Sequence, residues 1–562
     1  MNRYALQHIP DSAYCFPVSE HEMGLRLRTA KNDLTQVWVI YESKYRFGQV
    51  QKKEAMQKTL SGELFDYYTL RLNLQDTRLS YIFYLFDGEN YYYFSEDGVT
   101  ESYDFTHGYY NFFQYPYINR ADLSKKVEWL EKAAFYQIFV DRFCIGDQRK
   151  DTSYVNLAWG EIPDPKSFAG GDLRGIIQKL DYIKDLGCSA LYLTPIFQSV
   201  SNHKYDISDY FRIDPQFGTE EDLKDLVDQA HRRGMRVVLD AVFNHCSEDI
   251  SFFQDVKEKG KASPYYNWFV IDGEYPVKEP RNYEVFADCD YMPKLDTSDS
   301  QVQDYLISVA VHYIQEYDID GWRLDVSDEV SHDFWRRFRK EVKRAKSDAV
   351  IIGENWHDAS NYLRGDQYDS IMNYAFTKCC LDYFAYDKLS AEQAANRLNE
   401  LLARNTDTVN DMMLNLLDSH DTDRFLSEVK GNEEKLKAAL CLLYLFPGEP
   451  CIFYGTEILT PGGYDPDCRR CMDWEKADRG KDSKLFRLLR GLSQLRSRYA
   501  LTFEGTRITS SADGKILELS RRGEGYEICL YINQSGLEGV SGTVSVAPGT
   551  FRLFLNGGEI LC

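Results

Sequence analysis

Between Phe135 and Tyr454, short apolar runs alternate with longer amphipathic stretches, and this rhythm restricts the possible folds more than any other feature of the chain. The runs are Phe135–Val140, Ala190–Pro195, Val237–Val242, Gly321–Val326, Val350–Glu354, Ser370–Asn373, Asn415–Asp418 and Cys451–Tyr454. Near-continuous apolar runs of this length mark strands buried on both faces, and helical periodicity between them marks crossover helices. Eight repeats of that unit imply a (β/α)8 barrel. The stretch after the second run shows the pattern most clearly. It opens with Thr219-Glu-Glu-Asp222, a capping-box start, puts Leu223, Leu226, Val227 and Ala230 on one face, and stops at Gly234.

The two ends of the chain read differently. Residues 1–122 carry aromatic and β-branched runs (Val37–Tyr41, Tyr81–Phe86, Tyr91–Phe94) punctuated by Asp87-Gly88 and Asp97-Gly98, the pattern of an antiparallel β-sandwich. Residues 501–562 return to alternating strands at Ile516–Ser520, Tyr526–Tyr531 and Phe551–Leu555. The catalytic unit therefore covers 123–500. Between its third and fourth strands lie about fifty residues rich in Tyr, Pro, Asp and Lys, far beyond the ~2–6 of an ordinary βα loop. The fold expected is α/β: a (β/α)8 barrel with a small domain inserted at about 245–300, and β-sandwich domains before and after it in the chain.

Composition narrows the partners. With 66 basic and 88 acidic residues the formal charge is −22, which repels phosphate backbones and anionic bilayers, so neither nucleic acid nor membrane is expected. No run approaches the ~18 uncharged apolar residues of a membrane span, and the N-terminus lacks an apolar leader core. Thirteen cysteines, an odd number without framework spacing, indicate reduced thiols and a cytoplasmic location. Cys468-Arg-Arg-Cys471, a lone CxxC pair, reads as coincidence. Aromatics make up 14% of residues; packing explains most, and such rings also suit stacking on uncharged ligands such as sugars.

In a barrel of this kind, polar residues at the C-terminal ends of strands face the active site. Asp240, Asn244 and His245 close the third strand; Arg323 and Asp325 the fourth; Glu354 the fifth; Asp418, His420 and Asp421 the seventh. One such Asp could simply cap the following helix. Several strands ending this way bring carboxylates to one mouth. Glycoside hydrolysis with retention needs two carboxyls ~5–5.5 Å apart, one nucleophile and one acid. Arg323, two residues before Asp325, is placed to hold that carboxylate ionised, and Glu354 stands in the apolar setting of a working acid. His245 and His420 each close a strand beside an acid, which suits hydrogen bonding to sugar hydroxyls.

Asp240-Ala-Val-Phe-Asn-His245, Gly321-Trp-Arg-Leu-Asp325, Gly353-Glu354 and Leu416-Leu-Asp-Ser-His-Asp421 resemble, in order and spacing, the four main motifs of the α-amylase family of glycoside hydrolases. The resemblance implies Asp325 as nucleophile, Glu354 as general acid/base, and Asp421 as a third acid that binds the 2- and 3-hydroxyls and distorts the ring. It implies Arg323, His245 and His420 as hydrogen-bond donors to the transition state. Met292–Leu295, Tyr136–Phe139, Asp141–Phe143, His203–Asp206, Gly353–Ala359 and Asp465–Arg470 look like the neopullulanase, cyclomaltodextrinase and maltogenic amylase subgroup. That likeness adds His203, Tyr205, Asp240, Trp356, Asp465 and Arg469 to the substrate-binding set, with Tyr205 stacked on the sugar at the cleaved bond. It also implies a homodimer in which the N-terminal domain narrows the partner's cleft, favouring cyclodextrins and short oligosaccharides. The rings Tyr91, Tyr92, Tyr93, Tyr109, Tyr110, Phe112 and Phe113 are expected on its surface.

One loop departs from the subgroup. Where its calcium loop reads Asn-Gly-Asp and then Asn-Asp, this chain has Ile145-Gly-Asp147 and Lys150-Asp151. Asp147, Asp151 and Asp172 remain as metal candidates, but a lysine in place of an oxygen ligand argues against calcium, and the chemistry itself requires no cofactor. The reading is an intracellular retaining hydrolase of α-1,4-glucans. The alternatives are an α-glucanotransferase, which passes the same glycosyl-enzyme to a sugar hydroxyl, and a non-catalytic carbohydrate-binding barrel, which the intact acids oppose.

Overall fold

In the computed structural model, which describes residues 1–107 and 111–560, the eight apolar runs form one parallel sheet. Its strands are β1 (Phe135–Ile138), β2 (Ala190–Leu193), β3 (Arg236–Ala241), β4 (Gly321–Leu324), β5 (Val350–Gly353), β6 (Ser370–Ile371), β7 (Leu414–Leu416) and β8 (Glu449–Phe453). They run in the order β6-β5-β4-β3-β2-β1-β8-β7, and a parallel bridge from Met372 to Leu414 joins the two ends into a barrel. Phe135, Tyr192, Val238, Ile352, Met372, Leu414 and Cys451 fill the interior, as layered packing requires. The register sets Asp240 beside Arg323 and Leu324 beside Gly353, so the residues that end β3, β4 and β5 meet at one rim.

The crossovers include α1 (Leu173–Leu186), α2 (Glu220–Arg232), α3 (Ser300–Tyr317) and α4 (His332–Ala345). Both capping-box hydrogen bonds of Thr219 and Asp222 start α2, and Gly234 follows its end with φ of 72°. The β5–β6 connection, residues 354–369, contains no helix and departs from the strand-helix alternation. Between β3 and α3 lies the insert, with a helix at Ser251–Lys259 and paired bridges such as Phe269–Leu295 and Val285–Pro293.

The chain divides into two units. One holds Val127–Tyr386 and Met412–Thr502, and the other Met1–Lys126, Asp387–Asp411 and Phe503–Glu559. In the latter, two antiparallel sheets of the N-terminal region enclose Leu25, Leu27, Val37, Val39, Tyr81 and Phe83. The C-terminal region adds a five-stranded sheet and a two-stranded hairpin. Helix α5 (Ala391–Arg404) belongs to this unit although its sequence lies between β6 and β7. Asn399 Nδ2 donates to the carbonyls of Ser61 (3.0 Å) and Ile508 (3.1 Å), and Arg26 Nη1 donates to Ala403 O at 2.7 Å.

The expected surface rings divide by strand alternation. Phe113 lies in the sandwich core and Tyr92 packs against it, which corrects the expectation for those two. Phe112 sits against Phe47 at 5.1 Å. Tyr91 is about half exposed and stacks with Tyr84 (5.2 Å) and Phe86 (4.4 Å), and Tyr93 meets Tyr84 at 4.9 Å. Tyr109 and Tyr110 lie outside the described residues. Among the described residues no helix is long and apolar enough to cross a membrane.

Candidate active site

The rim gathers more acid than base. Arg323, projecting from β4 and fully buried, is the hub. Its Nη1 donates to Asp325 Oδ1 at 2.8 Å and to both oxygens of Asp240 at 3.0 Å. Its Nη2 pairs with Glu354 Oε2 at 3.0 Å, outside hydrogen-bond geometry, and lies 3.9 Å from Asp421 Oδ2. Thus Asp325 and Glu354 hang from the two arms of one guanidinium. The turn after β4 helps: Val326, a β-branched residue at φ 44°, aims its N–H at Glu354 Oε2 over 2.9 Å. Trp356 Nε1 donates to Glu354 Oε1 at 3.3 Å, and its ring lies on Tyr374 at 3.7 Å.

A second layer fixes the other side. Tyr192 and Tyr205 both donate to Asp240 Oδ2, at 2.7 and 3.0 Å. With the Gln137 amide donating to His420 Nδ1 at 2.7 Å, the ring carries its hydrogen on Nε2, which faces Tyr205 OH (2.5 Å) and Asp421 Oδ1 (3.2 Å). The Tyr205 and His420 rings are parallel, 5.6 Å apart. Arg469 holds three groups: Nε donates to His420 O (2.7 Å), Nη1 pairs with Asp465 (2.8 Å) and Nη2 lies 3.5 Å from Asp421. His203 Nδ1 contacts Ser201 Oγ at 3.1 Å. His245 lies on Phe286 at 4.6 Å, and its Nε2 is buried without a hydrogen-bond partner, as is Asp421 Oδ2.

These groups face one pocket of about 800 Å³, lined by His203, Tyr205, His245, Asp325, Glu354, Trp356, Asp421, Asp465 and Arg469. Asp240, Arg323 and His420 are not among the lining residues; they contact Asp325, Tyr205 and Asp421, which are. Asp418, at the end of β7, instead accepts from Phe425 N at 2.8 Å and serves as a local cap. Sequence reasoning did not single out Tyr192, Gln137, Phe286 or Tyr374 as functional.

The electrostatics follow from crowding. Burial pushes the Asp325 carboxyl well above its usual range, against the pull of Arg323 and with repulsion from Glu354, Asp240 and Asp421. Burial and the Glu354 charge push Asp421 up to about 7, against Arg323 and Arg469. Burial also raises Asp240. The cluster holds more carboxyls than cations, so the titrations of its members are linked. Burial lowers His203 to about 4 and His245 to about 3, and takes His420 well below its ordinary value, so the imidazoles here are neutral donors.

Asp147, Asp151 and Asp172 do not converge as a metal centre. Among the described residues no three His, Cys, Asp or Glu side chains do. Asp147 accepts from Arg149 N (2.9 Å), Asp151 from Ser153 N (2.8 Å), and Asp172 faces Lys150 at 3.1 Å.

Comparison with known proteins agrees with this architecture. A family model described as "Alpha amylase, catalytic domain" matches residues 137–488, and "Alpha amylase, N-terminal ig-like domain" matches residues 1–119. The chain is 44% identical over 544 residues to a cyclomaltodextrinase of Thermoanaerobacter pseudethanolicus, covering 96% of this chain and 94% of that protein. It is 40% identical to neopullulanase 2 of Thermoactinomyces vulgaris, covering 95% and 93%. A solved cyclomaltodextrinase structure superposes with a TM-score of 0.91 at 36% identity, covering 100% of this chain and 99% of that one.

Proposed function

The chain belongs to the α-amylase family of glycoside hydrolases, and from that premise we propose that it hydrolyses α-1,4-glucosidic bonds of cyclodextrins, maltooligosaccharides or pullulan with retention of configuration. The observation that carries the reading is the placement of Asp325 and Glu354 on the two arms of Arg323, both facing the same pocket.

Arg323 stabilises the Asp325 carboxylate, which attacks the anomeric carbon and forms a glycosyl ester. Glu354 gives its proton to the departing glycosidic oxygen. Its Oε2 faces both Val326 N and the Arg323 guanidinium, whereas Oε1 has only the longer contact from Trp356 Nε1, which leaves Oε1 the better placed to carry the proton. In the second half, Glu354 takes a proton from water as the water oxygen displaces Asp325, and both carboxyls return to their starting states. Asp421 Oδ2 and His245 Nε2, two of the buried polar atoms here without hydrogen-bond partners, offer an acceptor and a neutral donor to sugar hydroxyls. Tyr205, Phe286 and Trp356 give the pocket stacking surfaces.

The named relatives support cyclodextrin and pullulan as substrates. The half-exposed Tyr91 beside Tyr84, Phe86 and Trp38 supports a homodimer through the N-terminal sandwich, and thirteen cysteines without framework spacing support a cytoplasmic location. The test is kcat/KM on β-cyclodextrin, pullulan and soluble starch, alongside light scattering. The proposal expects a dimer that prefers cyclodextrin to starch. A monomer, or a preference for starch, contradicts it. Product analysis with added acceptor sugar separates hydrolysis from transfer.

A further inference from the structure

The loop from β1 to α1 contains a second buried charge cluster, built the opposite way. Asp172 is the N-cap of α1. Its Oδ1 accepts from Gly175 N (2.7 Å) and Gly146 N (2.9 Å), and its Oδ2 from Asp147 N (3.1 Å). The Lys150 side chain, 8% exposed, brings its ammonium to 3.1 Å from Asp172 Oδ2. The same Nζ lies 2.5 Å from Gly170 O, 2.9 Å from Gln216 O and 3.4 Å from Gly171 O. One carboxylate and three backbone carbonyls thus surround a single cation, the type of oxygen set that hard metal ions take.

Calcium does not fit these residues. Ca²⁺ takes about 6–8 oxygens, and here a covalently attached positive charge stands among the four available. Ile145 contributes no side-chain oxygen, and Asp147 and Asp151 are engaged by their own turns. We infer that Lys150 is the resident cation of this loop, tying its strands of backbone together in place of the calcium that the family resemblance implies.

The ammonium joins three stretches: the loop after β1, the approach to α1, and the turn at Gln216. The backbone it holds runs on toward the pocket. Ala169 N and Gly170 N donate to Asp141 at 2.9 and 3.0 Å, Asp141 accepts from Arg142 Nε at 2.6 Å, and Arg142 Nη1 donates to Arg469 O at 3.1 Å. A cation that cannot dissociate leaves this part of the protein independent of calcium supply.

The experiment is thermal unfolding of the full chain and two variants, each with chelator and with added CaCl2. For the native chain, the midpoint is expected to agree within about 1 °C in the two conditions. Lys150→Met removes the charge, leaves Asp172 and the carbonyls without it, and is expected to lower Tm by roughly 5 °C in both conditions. Lys150→Asn vacates the ammonium's place and adds an amide oxygen, so its Tm should rise on adding calcium. A native Tm that falls on chelation and recovers with calcium would overturn the inference. So would a Lys150→Met variant that melts with the native chain.

Discussion

Two buried clusters in the barrel unit differ in how charge is matched. Around Lys150, one ammonium meets one carboxylate and three carbonyl dipoles, so its positive charge is satisfied. Around Arg323, one guanidinium serves Asp240, Asp325 and Glu354, with Asp421 close by. The first cluster can contribute to stability, because buried charge costs little once paired and hydrogen-bonded. The second is overfilled with acid and costs stability in the free protein. Perturbed carboxyls crowded into a cleft are the arrangement the proposed chemistry requires.

The largest effect is expected from removing the two carboxyls proposed to react. Asp325→Ala should lower kcat by roughly 10⁴-fold or more, and Glu354→Gln by roughly 10³-fold, with circular dichroism and Tm showing a folded protein. Near-native turnover by either variant would return the cluster to a structural role.

A smaller effect sharpens the cost. Asp421 titrates near 7 in the folded chain, above its ordinary value of 3.8. The folded state then binds more protons than the unfolded one between those values, so this group's contribution to stability falls as pH rises from about 4 to about 7. Asp421→Asn removes the penalty. Its Tm should exceed that of the native chain by a few degrees at pH 8, and the difference should shrink at pH 5, as unfolding at the two pH values will show. Equal differences at both pH values would mean that Asp421 is not held in a crowded anionic site.

The smallest expected change is at Tyr192, whose hydroxyl supports Asp240 from β2 at 2.7 Å. Tyr192→Phe loses that hydrogen bond and should lower kcat/KM by about tenfold while leaving the substrate profile unchanged. Steady-state kinetics on two substrates checks both points.

Much of this was readable in the chain because parallel strands buried on both faces leave continuous apolar runs, and barrel architecture places functional side chains at their C-terminal ends. Asp325, Glu354 and Asp421 could be found that way. Tyr192 and Gln137 could not. Each lies within an apolar strand, and its contact arises only when β2 is set beside β3, and β1 beside β8 with β7 next to it. Asp418 sits at a strand end like the others, yet its carboxylate turns to Phe425 N, a choice made by the following turn. Helix α5 has the position of a barrel crossover, but its contacts with Ser61 and Ile508 join it to the β domains, and local pattern carries no trace of such distant partners.

The most direct test of the account is the anomeric form of the first product. Proton NMR of a maltooligosaccharide or cyclodextrin digest, recorded before mutarotation, should show the α-anomer, since attack by Asp325 and then by water inverts the centre twice. Initial appearance of the β-anomer would contradict a nucleophilic Asp325 paired with Glu354 across Arg323.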